Sequence, residues 1–428
     1  MYEGFRRFDI QTSDPEVTIR GVVGGSGPPV LLLHGNPLTY YHWRFVAPRL
    51  AKDFTVVATD LRGYGDSGKP RGLPDHSNYS FRRMAQDQVD VMRELGFERF
   101  MVAGHDRGAR TAYRMTLDHP AAVQKLCAID ILPTHHVWTH VTREWALNSY
   151  HWSFMAQPYD FPERLLAGKE EYYIRLKLGS QGLGKGGFTE DAIREYVRCC
   201  TPENIHGVCE DYRAGATIDF EMDKKDLDAG NKIACPVLVI VGGQSHTAKF
   251  YGYEKGWSTY VSNLAGCIAL PCGHYPAEQA PEETYAHLRD FSRAEHRNAG
   301  TILGQARRTR CTGESFVTAD PKHAGELQGV IAQLGLVEYQ PGSVVSRTLV
   351  KKSAGTVTAF AFDAGEALSE HTAPYDALVL ESTEKRKFPS RASPTTFQRA
   401  SSSGCPAGQP HAVKAITPFK MILVMIRA

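Results

Sequence analysis

Asp106 stands in the stretch of this chain whose residue types are best suited to chemistry. An apolar run, 100–103, leads into the turn Gly104-His-Asp-Arg-Gly108, and a helical segment continues to about Asp118, before Pro120. Glycines on both sides of the turn indicate a strained backbone with no room for side chains. A carboxylate at the tip of such a turn can attack an sp³ carbon and leave an ester on the enzyme. Because the tip holds Asp and not Ser, we do not expect serine acyl transfer.

Two arginines follow this aspartate on the predicted helix. Arg107 is the next residue and Arg110 lies one turn beyond Asp106, so both guanidinium groups should lie near the nucleophile. A helix N-terminus favours anions, and two cations there cost stability unless something negative binds them. That partner is either a protein carboxylate, which makes the arginines structural, or a substrate carboxylate. The sequence leaves both roles open. The second role predicts a substrate with a carboxylate next to the carbon attacked by Asp106.

The strand, turn and helix around Asp106 have the arrangement of the nucleophile in an α/β-hydrolase fold. Apolar segments with strand character recur before and after it, at residues 16–23, 30–33, 54–59, 125–129, 237–241 and 268–270. Helical patterns are predicted over 79–95 and from 281 to about 293. The loop His34-Gly-Asn36-Pro37 follows the second strand. In this fold the N–H groups of Asn36 and Arg107 would form an oxyanion hole.

The pattern divides the chain into a core, a cap and a C-terminal addition. Residues 1–133 and 232–293 carry the alternating strands and helices of the predicted α/β-hydrolase core. Between them, residues 134–231 are helical in character and rich in aromatic side chains. We interpret this insertion as a helical cap that closes over Asp106 and excludes water.

A general base and an acid that orients it complete the catalytic set. His274, in Pro271-Cys-Gly-His274, follows the final core strand, where this fold places its histidine. In many α/β hydrolases the acid follows the strand here at 237–241, but the next five residues, 242–246, contain no carboxylate. Asp130, which ends the strand after the Asp106 helix, is the alternative position. The predicted order is therefore nucleophile Asp106, acid Asp130 and base His274.

An anion that leaves the substrate needs hydrogen-bond donors. In the predicted cap, His151 and Trp152 are adjacent, and Tyr212 lies in Cys209-Glu-Asp-Tyr-Arg-Ala-Gly215. Imidazole, indole and phenol can each donate a hydrogen bond to a halide. Each of them taken singly is also a common type of packed aromatic side chain.

Residues from roughly 17 to 293 resemble the fluoroacetate (haloacetate) dehalogenases of the α/β-hydrolase superfamily. The segments that carry the resemblance are Gly104-His-Asp-Arg-Gly-Ala-Arg110, Asp130-Ile-Leu-Pro-Thr134, Tyr150-His-Trp-Ser-Phe154, Cys209-Glu-Asp-Tyr-Arg-Ala-Gly215 and Gly230-Asn-Lys-Ile233. The resemblance implies hydrolysis of haloacetate to glycolate and halide by a homodimer without a cofactor. We expect no metal in this site. It implies roles for eight residues: Asp106 as nucleophile, His274 as base, Asp130 as its acid, Arg107 and Arg110 as substrate carboxylate ligands, and His151, Trp152 and Tyr212 as halide ligands.

Two features depart from this resemblance. His34-Gly-Asn-Pro37 is closer to the haloalkane dehalogenases, in which that Asn helps to hold the halide, whereas Arg107 stands where those enzymes have Trp. The role of Asn36, and with it the preference among halides, is left open. The segment Lys177–Gly187 is also unusually rich in glycine, which predicts a cap of different shape.

The chain continues well beyond the predicted hydrolase domain. Residues 294–325 are interpreted as a linker, and 326–428 as a small β-rich domain that resembles an incomplete cupin. His371 and His411 stand at cupin ligand positions, with Asp376 as a doubtful third, so we predict no metal site. Residues 381–405 are rich in Lys, Arg, Ser and Pro without alternation, which predicts disorder. Our hypothesis is that this stretch arose from a local, later restored frame shift.

Composition limits the partners and the compartment. The sequence has 49 Lys and Arg against 47 Asp and Glu, which gives no reason to expect nucleic acid or a membrane as partner. Nine scattered cysteines indicate reduced thiols and a cytoplasmic protein.

The leading expectation is a dehalogenase acting on a small haloacid. An epoxide hydrolase with the same Asp nucleophile is one alternative, and a non-catalytic cupin-type sensing or binding protein is the alternative of another class.

Overall fold

The computed structural model describes residues 2–181, 187–294, 340, 342–352, 355–371, 376–381, 386–388, 395–397, 402–405, 411–414 and 419–426. It divides into two compact units, Met1–Thr312 and Gly313–Ala428. The division falls within the predicted linker, 294–325, of which all but residue 294 lies outside the described residues. Each unit is described by itself.

The first unit is built on an eight-stranded sheet. Its order is β1-β2-β4-β3-β5-β6-β7-β8. The strands are β1 Arg6–Gln11, β2 Thr18–Gly24, β3 Pro29–Leu33, β4 Thr55–Thr59, β5 Phe100–His105, β6 Val123–Ile129, β7 Val237–Gly242 and β8 Leu264–Leu270. The pairs β1–β2 and β2–β4 are antiparallel, and the strands from β4 to β8 run parallel. All the predicted strands of the core are confirmed, and β1 is an additional strand that the sequence analysis missed.

Both faces of the parallel strands are buried, which explains their continuous apolar sequences. In β3, Leu31 and Leu33 pack into the core on one face of the sheet, and Val30 and Leu32 pack into the core on the other. Leu31 is in register with Val57 of β4 and with Val102 of β5, and both of these valines join Leu31 in its core cluster. Since parallel strands end at one edge, the loops after β3, β5, β6 and β8 can converge there.

Helices cover the sheet and form the insertion after β6. They are α1 Ala47–Leu50, α2 Phe81–Glu94, α3 Arg107–Asp118, α4 Thr134–Thr139, α5 Arg143–Asn148, α6 His151–Met155, α7 Phe161–Leu166, α8 Glu170–Gln181, α9 Glu190–Cys199, α10 Pro202–Ala216, α11 Ile218–Asp228, α12 His246–Phe250, α13 Tyr253–Ser258, α14 Pro276–Gln279 and α15 Pro281–Arg293. Short 3₁₀ turns occur at Tyr40–Trp43 and Ser77–Tyr79. Helix α2 begins where Ser80 caps it by accepting the Arg83 N–H. The helices α4 to α11 lie between β6 and β7, at the position predicted for the cap.

The second unit is antiparallel in the residues that the structure describes. Its strands are β9 Val344–Lys352, β10 Gly355–Phe362, β11 Ala367–His371, β12 Asp376–Glu381, β13 Arg386–Phe388, β14 Thr395–Phe397, β15 Ser402–Cys405, β16 His411–Lys414 and β17 Phe419–Ile426. They form the sheets β15-β12-β17-β10-β9 and β11-β16-β13-β14. Two antiparallel sheets are compatible with the cupin-like interpretation, which stays a prediction.

Several predictions for the C-terminal part concern residues of which the structure describes only short segments. His371 and His411 are backbone partners in the β11–β16 pair, and Asp376 begins β12 in the other sheet. Among the described residues, no group of three or more His, Cys, Asp or Glu side chains could hold a metal ion. Within 381–405, β13, β14 and β15 are short strands, while the other residues after Glu381 lie outside the described part. The predicted disorder and frame shift therefore remain predictions.

Two further observations bear on the environment of the chain. Within the described residues, no helix is both long enough and apolar enough to cross a membrane. The cysteines recorded there are free thiols: Cys127, Cys199, Cys200, Cys209, Cys235, Cys267 and Cys272.

Candidate active site

The turn between β5 and α3 holds Asp106 in a strained backbone conformation. Its φ and ψ angles are 48° and −117°, in a region that residues with a side chain rarely adopt. A Cβ added to Gly104 would lie 2.4 Å from the Gly108 carbonyl oxygen, and one added to Gly108 would lie 2.3 Å from the His34 carbonyl oxygen. Both glycines are therefore required by close backbone approach, as the sequence pattern predicted. The turn presents the Asp106 carboxylate at the carboxyl edge of the parallel strands.

The Asp106 carboxylate is buried and kept ionised by its surroundings. One of its oxygens, Oδ2, accepts the Asn36 N–H at 3.1 Å, so one of the two predicted oxyanion-hole donors already contacts the nucleophile. Burial alone would raise the pKa of Asp106, but interactions with the imidazoles of His274 and His105 and with the Arg107 and Arg110 guanidinium groups outweigh it and hold the pKa below its usual range. An ionised carboxylate is the form that a nucleophile needs.

Asp130 and His274, the predicted acid and base, lie in contact. The Nδ1 atom of His274 lies 2.6 Å from Oδ2 of Asp130, and both residues are buried. The other oxygen, Oδ1, accepts the Gly242 N–H at 2.9 Å, the Ser245 hydroxyl at 3.0 Å and the Tyr253 hydroxyl at 3.1 Å. These three donors fix the carboxylate, and the carboxylate in turn orients the imidazole of His274.

Sequence reasoning missed these donors, although it singled out the loop from which two of them come. The loop after β7 lacks a carboxylate, and in its place it supplies the Gly242 N–H and the Ser245 hydroxyl to the acid on the neighbouring strand. Tyr253 had no recognisable signal, because it comes from α13 and reaches Asp130 only in the folded chain.

The structure places the Arg107 guanidinium against a carboxylate of the cap. Its Nε donates to Asp211 Oδ2 at 2.8 Å and its Nη2 donates to the Asp211 carbonyl at 2.7 Å and also to Oδ1. The Tyr64 hydroxyl donates to the same carboxylate at 2.7 Å, and the Tyr212 ring lies 4.3 Å from the guanidinium carbon. Of the two roles left open for the arginines, structural pairing is therefore observed for Arg107.

Arg110 has a different environment. It is 2% exposed, and its Nη1 donates only to neutral acceptors, the Leu132 carbonyl at 2.9 Å and the Thr134 hydroxyl at 3.0 Å. Its Nε is buried without a hydrogen-bond partner, and none of its hydrogen bonds within the described part of the chain goes to a carboxylate. Its guanidinium carbon lies 4.5 Å from the Trp152 ring centre. Burial lowers the pKa of Arg110, as expected for a cation without a close counter-charge.

The predicted halide donors lie together on the cap side of the site. The ring centres of His151 and Trp152 are 5.8 and 6.3 Å from that of Tyr212. The Asn36 side-chain amide donates to the Tyr212 hydroxyl at 3.3 Å, so Asn36 contacts this group as well as the predicted nucleophile. Burial holds the pKa of His151 well below its usual range and raises the pKa of Tyr212. The imidazole is therefore neutral and the phenol protonated near pH 7, and both can donate a hydrogen bond.

A cavity of about 30 Å³ lies between the predicted catalytic residues and the predicted substrate and halide ligands. Of the predicted site residues, six line it: Asp106, Arg110, Asp130, His151, Trp152 and His274. Asn36, Tyr212 and Arg107 adjoin this set through the contacts described above. The remaining walls were not predicted: Ile131, Val137, Trp145, Ser149, His246 and Thr247.

Lys177, on α8 of the cap, adds a buried cation to this region. It is 6% exposed, and burial lowers its pKa to about 8, against the attraction of the Asp106 carboxylate. Its charge also acts on His151. The sequence analysis noted Lys177 only as the start of a glycine-rich segment, because a lysine in a surface-like helix carries no signal of burial.

Comparisons with known proteins identify the fold family of the chain and its relatives. A family profile for the alpha/beta hydrolase fold matches residues 28–281. A fluoroacetate dehalogenase from Burkholderia sp is 45% identical over 293 residues, which are 68% of this chain and 95% of that protein. A soluble epoxide hydrolase from Corynebacterium sp. (strain C12) is 34% identical, over 61% of this chain and 88% of that protein.

A solved structure shows the same relationship. The crystal structure of an alpha/beta hydrolase from Nostoc sp PCC 7120 is 48% identical, with a TM-score of 0.66, and the match covers 68% of this chain and 99% of that one. The profile match spans more than half of the chain, and the elbow at Asp106 occupies the position at which this fold carries its nucleophile. The chain belongs to the α/β-hydrolase fold family, and it is a hydrolase related to fluoroacetate dehalogenase.

Proposed function

We propose that the protein is a hydrolytic dehalogenase that converts haloacetate, such as fluoroacetate or chloroacetate, to glycolate and halide. The observation that carries this proposal is the cavity shared by Asp106 and Arg110. A nucleophilic carboxylate and a buried guanidinium without a carboxylate partner are set to bind a substrate with an electrophilic carbon next to a carboxylate. The Arg107 guanidinium, although paired with Asp211, also acts on the charge of Asp106.

In the first step, an oxygen of Asp106 attacks the carbon that bears the halogen. A new C–O bond forms as the carbon–halogen bond breaks, and the halide takes the bonding electrons. His151, Trp152 and Tyr212 supply N–H and O–H donors for the departing anion, which they can do because burial excludes competing water. The product of this step is an ester between Asp106 and the two-carbon acid.

In the second step, His274 removes a proton from water, which attacks the carboxyl carbon of Asp106. The oxyanion is held by the Asn36 and Arg107 N–H groups, and the imidazolium is stabilised by Asp130. Collapse expels glycolate, whose alkoxide takes the proton from His274. Asp106 is left as a carboxylic acid, and loss of its proton to solvent restores the carboxylate. These steps need neither a cofactor nor a metal.

The size of the cavity supports a two-carbon substrate. A cavity needs about 10–15 Å³ to hold one water molecule. A cavity of about 30 Å³ therefore has room for a ligand of only a few heavy atoms. Bulky rings form those walls, since Trp145 and Trp152 contact each other edge to face at 5.5 Å.

Epoxide opening is the competing activity, because epoxide hydrolases are among the relatives. It needs acidic hydroxyl donors from the cap for the epoxide oxygen. Among the described residues no tyrosine lines the cavity, and Tyr212, which lies beside it next to Asn36, would supply one of the two cap tyrosines that epoxide opening needs. The buried Arg110 also has no function toward an uncharged epoxide.

The deciding experiment measures halide release from fluoroacetate and chloroacetate, and diol formation from a small terminal epoxide, with the same folded sample. We expect halide and glycolate in equal amounts and no diol. Diol formation without halide release would reject the proposal in favour of an epoxide hydrolase. No turnover of either substrate class would reject both.

Lys177 should make substrate affinity depend on pH. Because its pKa is lowered to about 8, its charge is present below this pH and lost above it, so the attraction for a carboxylate substrate weakens as pH rises. We expect KM for chloroacetate to rise between about pH 7 and 9.5. Lys177→Met should give a high KM that does not change over this range, and Lys177→Arg a low one. The same slope of KM in Lys177→Met and in the wild type would show that another group is responsible.

We also propose that the protein is a homodimer that associates through its cap. Of the ten large apolar side chains that are exposed in the described residues, eight lie in the cap: Val141, Leu147, Tyr150, Tyr159, Phe161, Leu165, Tyr172 and Leu176. Such a concentration is typical of an interaction surface. Light scattering should give twice the mass of one chain. The double variant Leu147→Glu, Tyr172→Glu should be monomeric, while Leu73→Glu, outside the cap, should remain dimeric. A monomeric wild type would contradict the proposal.

A cytoplasmic location is the last part of the proposal. It is supported by the seven free thiols among the described cysteines, since reduced cysteines are typical of that compartment.

A further inference from the structure

His105, the last residue of β5, contacts the loop that carries the catalytic base. Its side chain is fully buried, and its Nε2 atom lies 2.6 Å from the carbonyl oxygen of His274. The His105 ring centre is 4.9 Å from the His274 ring centre and 5.8 Å from that of Tyr275. On its other side it is 4.9 Å from the ring centre of His42. The imidazole is thus packed between the base loop and the 3₁₀ turn Tyr40–Trp43.

The geometry determines the tautomer of His105. A carbonyl oxygen only accepts hydrogen bonds, so the Nε2 atom of His105 must carry the proton that it donates to His274. The other ring nitrogen, Nδ1, is buried and has no partner among the described residues. A charged ring would have to bury a second N–H without an acceptor. Burial accordingly holds the pKa of His105 well below its usual range, and the ring is neutral.

The contact joins two parts of the site that the sheet does not join. Strand β5, which ends next to Asp106, is separated from β8 by the two strands β6 and β7. Backbone hydrogen bonds between neighbouring strands therefore do not link the strand before His274 directly to the strand before Asp106. Its side chain is held by Asp130, and its main chain is held by His105, which is covalently attached to Asp106.

We propose that His105 is a positioning residue that sets the distance between the nucleophile and the base through its hydrogen bond to the His274 main chain. This inference rests on the proposed function. It predicts a specific kinetic defect, because the two chemical steps use the base differently. Displacement of halide needs Asp106 and the bound substrate. Hydrolysis of the ester needs His274 to hold a water close to the Asp106 carboxyl carbon, and such geometry is sensitive to shifts of about 1 Å.

The test compares two substitutions of His105. His105→Leu removes the donor, and His105→Gln keeps an N–H that can reach the position of Nε2. Rapid mixing with chloroacetate should show, for His105→Leu, a halide burst near the wild-type rate followed by steady-state turnover about 10- to 100-fold slower. Intact-mass measurement of the quenched sample should show the chain with one carboxymethyl group attached. His105→Gln should recover most of the turnover. Equal slowing of both phases, or turnover of His105→Leu at the wild-type rate, would overturn the inference.

A second measurement does not depend on activity. Nitrogen-15 NMR of histidine-labelled wild type, with His105 assigned from His105→Gln, should show a neutral ring protonated at Nε2 from pH 5 to 9. A ring protonated at Nδ1, or one that titrates in this range, would overturn the inference even if His105→Leu failed to fold. If the wild type released no halide, the proposed function would fail by itself, and the NMR result would still decide the tautomer on which the positioning contact depends.

Discussion

Replacing Asp106 by asparagine is expected to lower halide release from fluoroacetate and chloroacetate by at least about 10⁴-fold, the scale seen when a catalytic nucleophile is removed. The amide has nearly the shape of the carboxylate and can still accept the Asn36 N–H, but it is a very poor nucleophile toward an sp³ carbon. The nucleophile would be lost while the cavity and its other walls remain. Halide release under single-turnover conditions is the measurement, because it detects even one displacement per site.

The control for this variant is substrate binding. In Asp106→Asn, the positive charge of Arg110 is no longer offset by the charge of Asp106, so chloroacetate should bind at least as tightly as to the wild type. Titration calorimetry can measure this, because the variant does not consume the ligand. Halide release at more than a tenth of the wild-type rate would show that another group attacks the carbon. Loss of both binding and release would indicate that the variant is misfolded and would require Asp106→Ser as a replacement.

The parts of the site that could be predicted from the sequence are those that depend on local backbone geometry. Gly104 and Gly108 mark the turn at Asp106, because a Cβ atom at either position would lie within 2.4 Å of another backbone atom and only glycine fits there. Asp130 and His274 follow β6 and β8, and parallel strands bring their carboxyl ends to one edge of the sheet. Position along the chain was therefore sufficient to place these side chains near one another.

The partners of the two arginines could not be predicted in this way. Asp211 lies 104 residues from Arg107 and belongs to a cap helix whose orientation depends on its packing. Helical spacing indicated that both arginines adjoin Asp106, but not which of them would find a carboxylate of its own. The burial of Lys177 has the same cause, since it depends on how α8 lies over the core. Strand β1 was missed because only its Phe8 and Ile10 are buried, and the charged residues around them obscure the pattern.

The difference between Arg107 and Arg110 leads to two opposite expectations. Arg110→Gln should lower kcat/KM for chloroacetate by about 10²- to 10⁴-fold, because one or two charge-assisted hydrogen bonds to the substrate carboxylate, each contributing about 1.5–3 kcal/mol, would be lost. The folded state should lose little, since a buried guanidinium with an unpartnered Nε and only neutral acceptors is itself costly. The melting temperature of Arg110→Gln should therefore equal or exceed that of the wild type.

For Arg107→Gln we expect the reverse: a larger loss of folding stability than of substrate binding. It leaves Asp211 buried without its cation, which typically costs about 3–5 kcal/mol, so the melting temperature should fall by several degrees. Measuring kcat/KM and thermal unfolding of both variants separates a role in substrate binding from a role in folding stability. Arg110→Lys serves as the variant that keeps the charge but loses the paired N–H donors of the guanidinium group. If Arg110→Gln unfolded early and kept its activity, Arg110 would be structural, and Lys177 would become the remaining cation to recognise the carboxylate. The chemistry assigned to this cavity therefore depends on Arg110 remaining unpaired until the substrate enters.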